Sequence, residues 1–258
     1  MNYLKKLEFN GSEEVSLIVN TVLAEINKNK VIHLSTNIKT DEKKLREIFD
    51  LITNSLGTSL DIAEDYKTGK KIGSKWMEIR YDHDIPDMEA FRHSKNAQPL
   101  HTDESYMPDP SEIMVMYCVN KAPKGGETVF VNSDDLINVL KEKNLDLYNK
   151  LITTSIKFSK SNNQRVEKII DVSSTDVKLN WNYFCVSNDE IEESKKIVDE
   201  FHAFLQKNIV DSIYLHAVDL EEGDGVFWWD NTVLHGRNSF EAYKTNDRFL
   251  WKSGIKLK

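Results

Sequence analysis

Residues 225–240 read Gly225-Val226-Phe227-Trp228-Trp229-Asp230-Asn231-Thr232-Val233-Leu234-His235-Gly236-Arg237-Asn238-Ser239-Phe240. The first five are apolar, mostly β-branched or aromatic, and predict a strand. Asp230-Asn231 supplies a turn, and Val233-Leu234 resumes an apolar run that ends on His235 and Gly236. The pattern delivers an imidazole into the interior of a β-structure. Thirteen residues after His235 comes Arg248, in Asp247-Arg248-Phe249-Leu250-Trp251-Lys252.

A second stretch complements the first. Pro99-Leu100-His101-Thr102-Asp103-Glu104-Ser105-Tyr106 contains a His-x-Asp. In extended chain, residues two apart point to the same side, so His101 and Asp103 present an imidazole and a carboxylate to one point. With His235 they make a two-His, one-carboxylate set, which leaves positions open on a non-haem Fe(II). Zn(II) accepts the same donors. Arg248 adds a guanidinium suited to the distal carboxylate of a chelating dicarboxylate. Each residue alone has an ordinary reading: an incidental surface His-x-Asp, a hydrogen-bonded core histidine, an ion-paired arginine. Their occurrence together and in this order argues for a metal centre.

The rest of the chain supplies the setting. Its 258 residues suit one or two domains. Hydrophobic residues make up 40% and charged residues 29%, a globular rather than disordered composition. Lys plus Arg number 34 against 42 Asp plus Glu, a net charge of −8, which disfavours nucleic acid as a partner. The longest apolar run, Ile113–Val119, is too short to span a membrane. Cys118 and Cys185 lie in apolar surroundings and are expected as buried free thiols. With no signal-peptide pattern, the expected location is cytoplasmic.

Residues 1–74 predict helix, strand, helix. Ser12 caps a first helix carrying Val15, Ile18, Val22 and Ile26. Val31–Leu34 is a strand. Thr40 or Asp41 caps a second helix that Gly57 ends. From Lys75 onward, strands are expected at Trp76–Tyr81, Ile113–Asn120, Glu127–Val131, Ser155–Ser159, Val177–Val186, Ile213–Val218, Gly225–Trp229 and Arg248–Leu257. One long helix interrupts them near 189–207. Closely spaced strands with Gly-rich turns predict a mainly β fold with flanking helices, a sandwich or barrel. No dinucleotide, P-loop or nucleophile-elbow motif occurs.

The motifs H-T-D-x-x-Y, G-G-E-T, W-D-N-x-x-x-H-G-R-x-x-F and R-x-L-W, in this order between Trp76 and Lys252, resemble those of the taurine/2,4-D dioxygenase (TauD/TfdA-like) superfamily of Fe(II)- and 2-oxoglutarate-dependent oxygenases. The resemblance implies a double-stranded β-helix (a cupin-like jelly roll) at 75–258, with residues 1–74 packed on it in a single domain. It implies iron ligation by His101, Asp103 and His235. It also implies capture of 2-oxoglutarate by Thr128 and Arg248, with Arg237 as a second choice, and O2 as co-reactant. The implied reaction is hydroxylation of an unactivated C–H bond with release of succinate and CO2. Halogenating relatives carry a small residue where Asp103 stands, so hydroxylation is expected over halogenation, with desaturation and ring closure left open. A binding module on the same fold, or a zinc hydrolase, are the competing readings; neither requires Thr128 and Arg248.

The substrate is expected to be a small carboxylate-bearing molecule, such as an amino acid or a derivative of one. Arg248, Leu250 and Lys252 share one strand face, so Lys252 is the expected carboxylate anchor, with Glu104, Tyr106, Arg80 and Trp229 as further contacts. The polar stretch 161–165 reads as a surface loop or a lid. Homo-oligomerisation is left open.

Overall fold

The computed structural model describes residues 3–9, 14–37, 41–85 and 90–258. Two sheets face each other across an apolar interior. The larger has seven strands. Its main path runs Leu4–Glu8, Val31–Ser35, Gly225–Trp229, Ile113–Asn120, Phe249–Leu257, Gly57–Ser59, and Met77–Arg80 also pairs with Phe249–Leu257. The smaller runs His216–Val218, Thr128–Asn132, Val233–Arg237, Gln98–His101. Met114, Met116, Val226, Trp228 and Leu250 of the larger sheet pack on Phe130, Val218 and Val233 of the smaller. This is the expected jelly-roll core.

Strand alternation sorts the side chains into layers. Ile113, Val115, Tyr117 and Phe227 leave the other face of the large sheet and meet helices α1 (Val15–Ile26) and α2 (Glu42–Leu56). Phe49 of α2 stacks on Tyr117 with ring centroids 4.5 Å apart. The helices are therefore not an appendage. The strand between them, Val31–Ser35, hydrogen-bonds directly to Gly225–Trp229. On the far side, Val129, Val131, Leu100 and Leu234 of the small sheet meet an insert holding α3 (Ser133–Lys143), α4 (Leu145–Thr153) and α5 (Glu192–Asn208).

The structure differs from the sequence expectations in several places. A strand at Leu4–Glu8 pairs parallel with Val31–Ser35 and was not anticipated. Asp41 caps α2 by accepting the Lys44 N–H at 2.9 Å, whereas Ser12 and Thr40 lie outside the described residues. The helices α3 and α4 were missed. Asn132 closes the preceding strand and itself accepts the N–H groups of Asp134 and Asp135, so strand passes into helix with no intervening loop signal. The expected strand Val177–Val186 contains only the pair Lys178–Leu179 and a 3-10 turn at Tyr183–Cys185. The strand expected over Ile213–Val218 is confined to His216–Val218. The long helix lies near its expected place, and both cysteines are free and buried.

Gly236 marks a close backbone approach beside the site. A Cβ there would stand 2.7 Å from the Gln98 carbonyl oxygen of the neighbouring strand. Gly236→Ala should therefore force the strands bearing His235 and His101 apart. A loss of about 1–3 kcal/mol is expected for such overpacking, read from the shift in urea midpoint.

Candidate metal and cosubstrate site

Register brings the donors together. His235 lies opposite His101 on one side of its strand and opposite Phe130 on the other. The two imidazole rings are 4.2 Å apart between centroids. Asp103 sits just beyond the end of the strand Gln98–His101, and its backbone N–H donates to Asp230 Oδ2 at 2.8 Å. One ligand atom from each of His101, Asp103 and His235 lies within 4.8 Å of the others. Among the described residues this is the group of three or more such side chains placed to hold a metal ion.

The donor set fits a divalent ion. The ring of His101 is fixed by Nδ1, which donates to the Pro99 carbonyl at 2.9 Å. Nε2 is thereby left as the lone-pair nitrogen, and the Gln98 amide points at it from 3.1 Å. Asp103 carboxylate oxygens lie 3.7 Å from His101 Nε2 and 3.3 Å from His235 Nε2. Burial, helped by neighbouring His101, lowers the His235 pKa to about 3, so its ring is neutral near pH 7 and able to ligate. Burial pushes the Asp103 carboxyl up, but Lys252 and the two histidines outweigh it and hold the group well below its ordinary value. The result is a neutral His235 imidazole beside an ionised Asp103 carboxylate.

Asp230 forms the supporting layer. Its Oδ1 accepts the Trp228 indole N–H at 3.0 Å and lies 3.5 Å from His235 Nδ1. Burial and the adjacent Asp103 charge raise its pKa well above the ordinary value. Asp230 and Trp228 stand in the stretch 225–240, yet neither was singled out from sequence. Strand alternation was the available signal. Val226 and Trp228 face the interior, while Phe227 and Trp229 face the helices.

Arg248 is buried on the same inner face. Its Nη2 donates to the Gly126 carbonyl at 3.0 Å, and desolvation lowers its pKa to about 10. A Cβ on Gly126, where φ is +85°, would stand 2.9 Å from Arg248 Nε. The second glycine of G-G-E-T thus makes room for the guanidinium. Arg248 and Thr128 line one small cavity with Gly126 and Cys118.

The remaining expected residues divide. Lys252 is buried with its ammonium against Asp103 Oδ2. Arg237 donates to the carbonyls of Phe91, Ser94 and Asn96; it clamps that segment and does not reach the Arg248 cavity. Trp229 donates to the Ile26 carbonyl on the helix side, so the expectation that it meets substrate is corrected. Glu104 has a left-handed φ of 50° and its carboxylate accepts the Ser111 N–H at 2.7 Å. Tyr106 packs among the insert residues and its hydroxyl donates to Glu64 at 3.4 Å. Arg80 pairs with Glu78 and Asn246, neither of which belongs to the cluster. The other histidines have partners within the fold: His33 bonds Asp224, His93 the Arg80 carbonyl, His83 Tyr81, and His202 stacks on Tyr183, while His216 packs edge-on to Tyr3.

A two-sheet jelly roll holding two histidines and a carboxylate in its interior, with a buried arginine nearby, is the arrangement of a non-haem metal site. Residues 37–253 match the family described as "Taurine catabolism dioxygenase TauD, TfdA family", and the chain belongs to that family. It is 24% identical over 216 residues to human gamma-butyrobetaine dioxygenase, covering 77% of this chain and 55% of that protein. It thus spans about half the length of that curated relative. The PvcB protein of Pseudomonas aeruginosa superposes with a TM-score of 0.65 at 17% identity, covering 99% of this chain and 87% of its own. An asparagine oxygenase superposes with a TM-score of 0.68 at 12% identity, over 94% of this chain and 79% of its own.

Two outcomes follow from the site's electrostatics and support. In the unfolded chain His235 titrates near 6.5, and in the folded protein near 3. Between these values the unfolded state binds the extra proton, so the metal-free protein should lose stability as pH falls from about 6.5 towards 3. The lowered Asp103 pKa acts in the same direction below the ordinary carboxyl range. Urea midpoints measured across this range should fall more gently in His235→Asn. Separately, Trp228→Phe removes a donor to Asp230 and should weaken metal affinity by roughly 10–100-fold. Trp229→Phe should leave that affinity unchanged in a metal titration.

Proposed function

We propose that the chain is an Fe(II)- and 2-oxoglutarate-dependent oxygenase. It hydroxylates an unactivated C–H bond of a small carboxylate-bearing molecule, such as an amino acid or a derivative. The observation that carries this reading is one interior, between the two sheets, that holds both a His/Asp/His donor set and a buried guanidinium whose hydrogen bond goes to a backbone carbonyl. A zinc site or an inert jelly roll has use for the first and none for the second. Family membership supports the same reading. So do the hydroxylated amino acids bound in two structural relatives, 3-hydroxyasparagine in the asparagine oxygenase and (3S)-hydroxy-L-Arg in OrfP.

His101, Asp103 and His235 hold ferrous iron. Arg248 and Thr128 hold the distal carboxylate of 2-oxoglutarate. Bound iron and 2-oxoglutarate supply O2 activation coupled to oxidative decarboxylation, which yields succinate and CO2. The protein contributes geometry and a dry interior. The Pro99 carbonyl orients the His101 ring, and Asp230 stands 3.5 Å from His235 Nδ1. Lys252 steadies Asp103 in its ionised form. The apolar wall of Phe130, Trp228 and Leu250 excludes water. Asp103 stands where halogenating relatives carry a small residue, which favours hydroxylation over halogenation. No helix among the described residues is long and apolar enough to cross a membrane.

Under anaerobic conditions, Fe(II) plus 2-oxoglutarate should give a weak visible charge-transfer band. Its absence from metal-loaded protein would overturn the assignment. Asp103→Ala should lose succinate formation by more than the roughly 10–100-fold that removal of an outer partner costs. Arg248→Gln should raise the 2-oxoglutarate requirement by about 30-fold or more, because truncating one partner of a buried charge pair costs about 2–5 kcal/mol.

A further inference from the structure

A cavity of about 280 Å³ opens beside the donor set, with Asp103 and Asp230 on its inner side. Its place along the C-terminal strand is informative. Residues 248, 252 and 256 alternate onto one face, about 13 Å apart at each step. Arg248 lines the small 2-oxoglutarate cavity, Lys252 touches Asp103, and Lys256 lines the larger cavity. The larger cavity therefore lies beyond the donor set, at the end opposite the cosubstrate. Its size is just below that of pockets for drug-sized ligands and suits a small metabolite.

The insert builds the outer wall of this cavity. Arg165, Glu167 and Lys168 come from the strand Asn163–Lys168, and Asp171 and Lys178 from the next hairpin. Three cations face two carboxylates, one positive charge in excess on this wall, in a chain whose net charge is −8. Glu167 is paired with Arg165 at 3.1 Å. Asp171 is held in a turn by the Ser173 N–H. Arg165 donates from Nη2 to Glu167 and from Nη1 to the Asn180 side-chain oxygen at 3.3 Å. Of its five N–H donors, that leaves three. Asn180 in turn donates to the Ser105 carbonyl at 3.2 Å, two residues past Asp103. The guanidinium is thus tied in position to the metal-bearing segment.

We infer that this cavity is the substrate subsite and that Arg165, carried on the insert hairpin, reads the substrate's carboxylate. The inference rests on the oxygenase reading above. Lys252 was the anchor expected from sequence, but its ammonium is committed to Asp103. Arg165 offers a planar donor edge that matches a carboxylate bidentately. Bound in this way, a substrate spans from the insert wall to the donor set, with its reacting carbon at the inner end.

The test uses the full chain loaded with Fe(II) and 2-oxoglutarate without O2. The proteinogenic L-amino acids, their α-amides and gamma-butyrobetaine are titrated while the visible band is followed. At least one free acid should shift the band, and its amide should need more than 10-fold higher concentration. Arg165→Gln should weaken the response to that acid by more than 10-fold while its 2-oxoglutarate titration stays within twofold of wild type. Lys178→Gln, across the same wall, should weaken it less. An amide as effective as its acid, an unaltered response in Arg165→Gln, or no response to any of these compounds would each overturn the subsite. The acid and amide comparison on the wild-type protein decides the matter should Arg165→Gln not fold. Absence of the band before any amino acid is added sinks the oxygenase reading instead, so the two failures are distinct.

Discussion

The pairing of His235 with His101 across one antiparallel register is the constraint on which the site depends. The strand Val233–Arg237 is held on both sides, by Gln98–His101 and by Thr128–Asn132. A one-residue slip would turn His235 towards the insert and bring Leu234 inward, because side chains alternate strictly. Gly236 permits the close approach, since any Cβ there meets the Gln98 carbonyl. The same register sets Arg237 opposite Thr128. Hydrogen bonds of the backbone thus determine where metal donors and cosubstrate contacts fall, before any side chain is considered.

Charge completes what register begins. Asp103 is a carboxylate in an apolar, water-poor interior, a costly placement unless it is paired. Lys252 pairs with it, the two imidazoles stand beside it, and Asp230 accepts its backbone N–H. Asp230 gains from remaining uncharged beside Asp103, and its raised pKa reflects that mutual repulsion together with burial. Two carboxyl groups a short distance apart are pushed in opposite directions, one to ligate and the other to support. A buried ion pair such as Lys252 with Asp103 adds little net stability by itself. Its consequence is positional, because it keeps the carboxylate ionised and aimed.

Much of this was legible in the sequence, and what was not has identifiable physical causes. The donor set could be read because His101 and Asp103 are local in sequence and His235 has a distinctive neighbourhood. Arg248 and Lys252 could be placed on one face by alternation alone. The same rule applied to the strand Gly225–Trp229 distinguishes Trp228 from Trp229, and the expectation fell on the wrong one. Glu104 and Tyr106 departed because a left-handed residue at Glu104 ends the extended run after Asp103, so alternation no longer predicts direction. Arg237 was beyond local reading. Its partners are three carbonyls in the segment 91–96, more than 140 residues away. Helix α3 escaped because Asn132 ends a strand and caps a helix with the same residue.

The division of labour between core and insert has a physical basis. Donor geometry is fixed by the sheets, whose strands are buried on both faces and cannot shift independently. The insert contacts that geometry at few points. Thr102, between the two donors of the first motif, accepts the Trp181 N–H on its hydroxyl, and its own N–H donates to the Trp181 carbonyl. Asn180 reaches the Ser105 carbonyl. Through these bonds a short segment of the insert is locked to the metal-bearing turn, while the neighbouring strand 163–168 displays Arg165, Glu167 and Lys168 to the cavity. Side chains on that strand can change without moving His101, Asp103 or His235. A rigid centre with a replaceable wall is how one scaffold serves many substrates. On this chain the insert's wall carries three cations against two carboxylates, and the subsite inferred above would receive a carboxylate there.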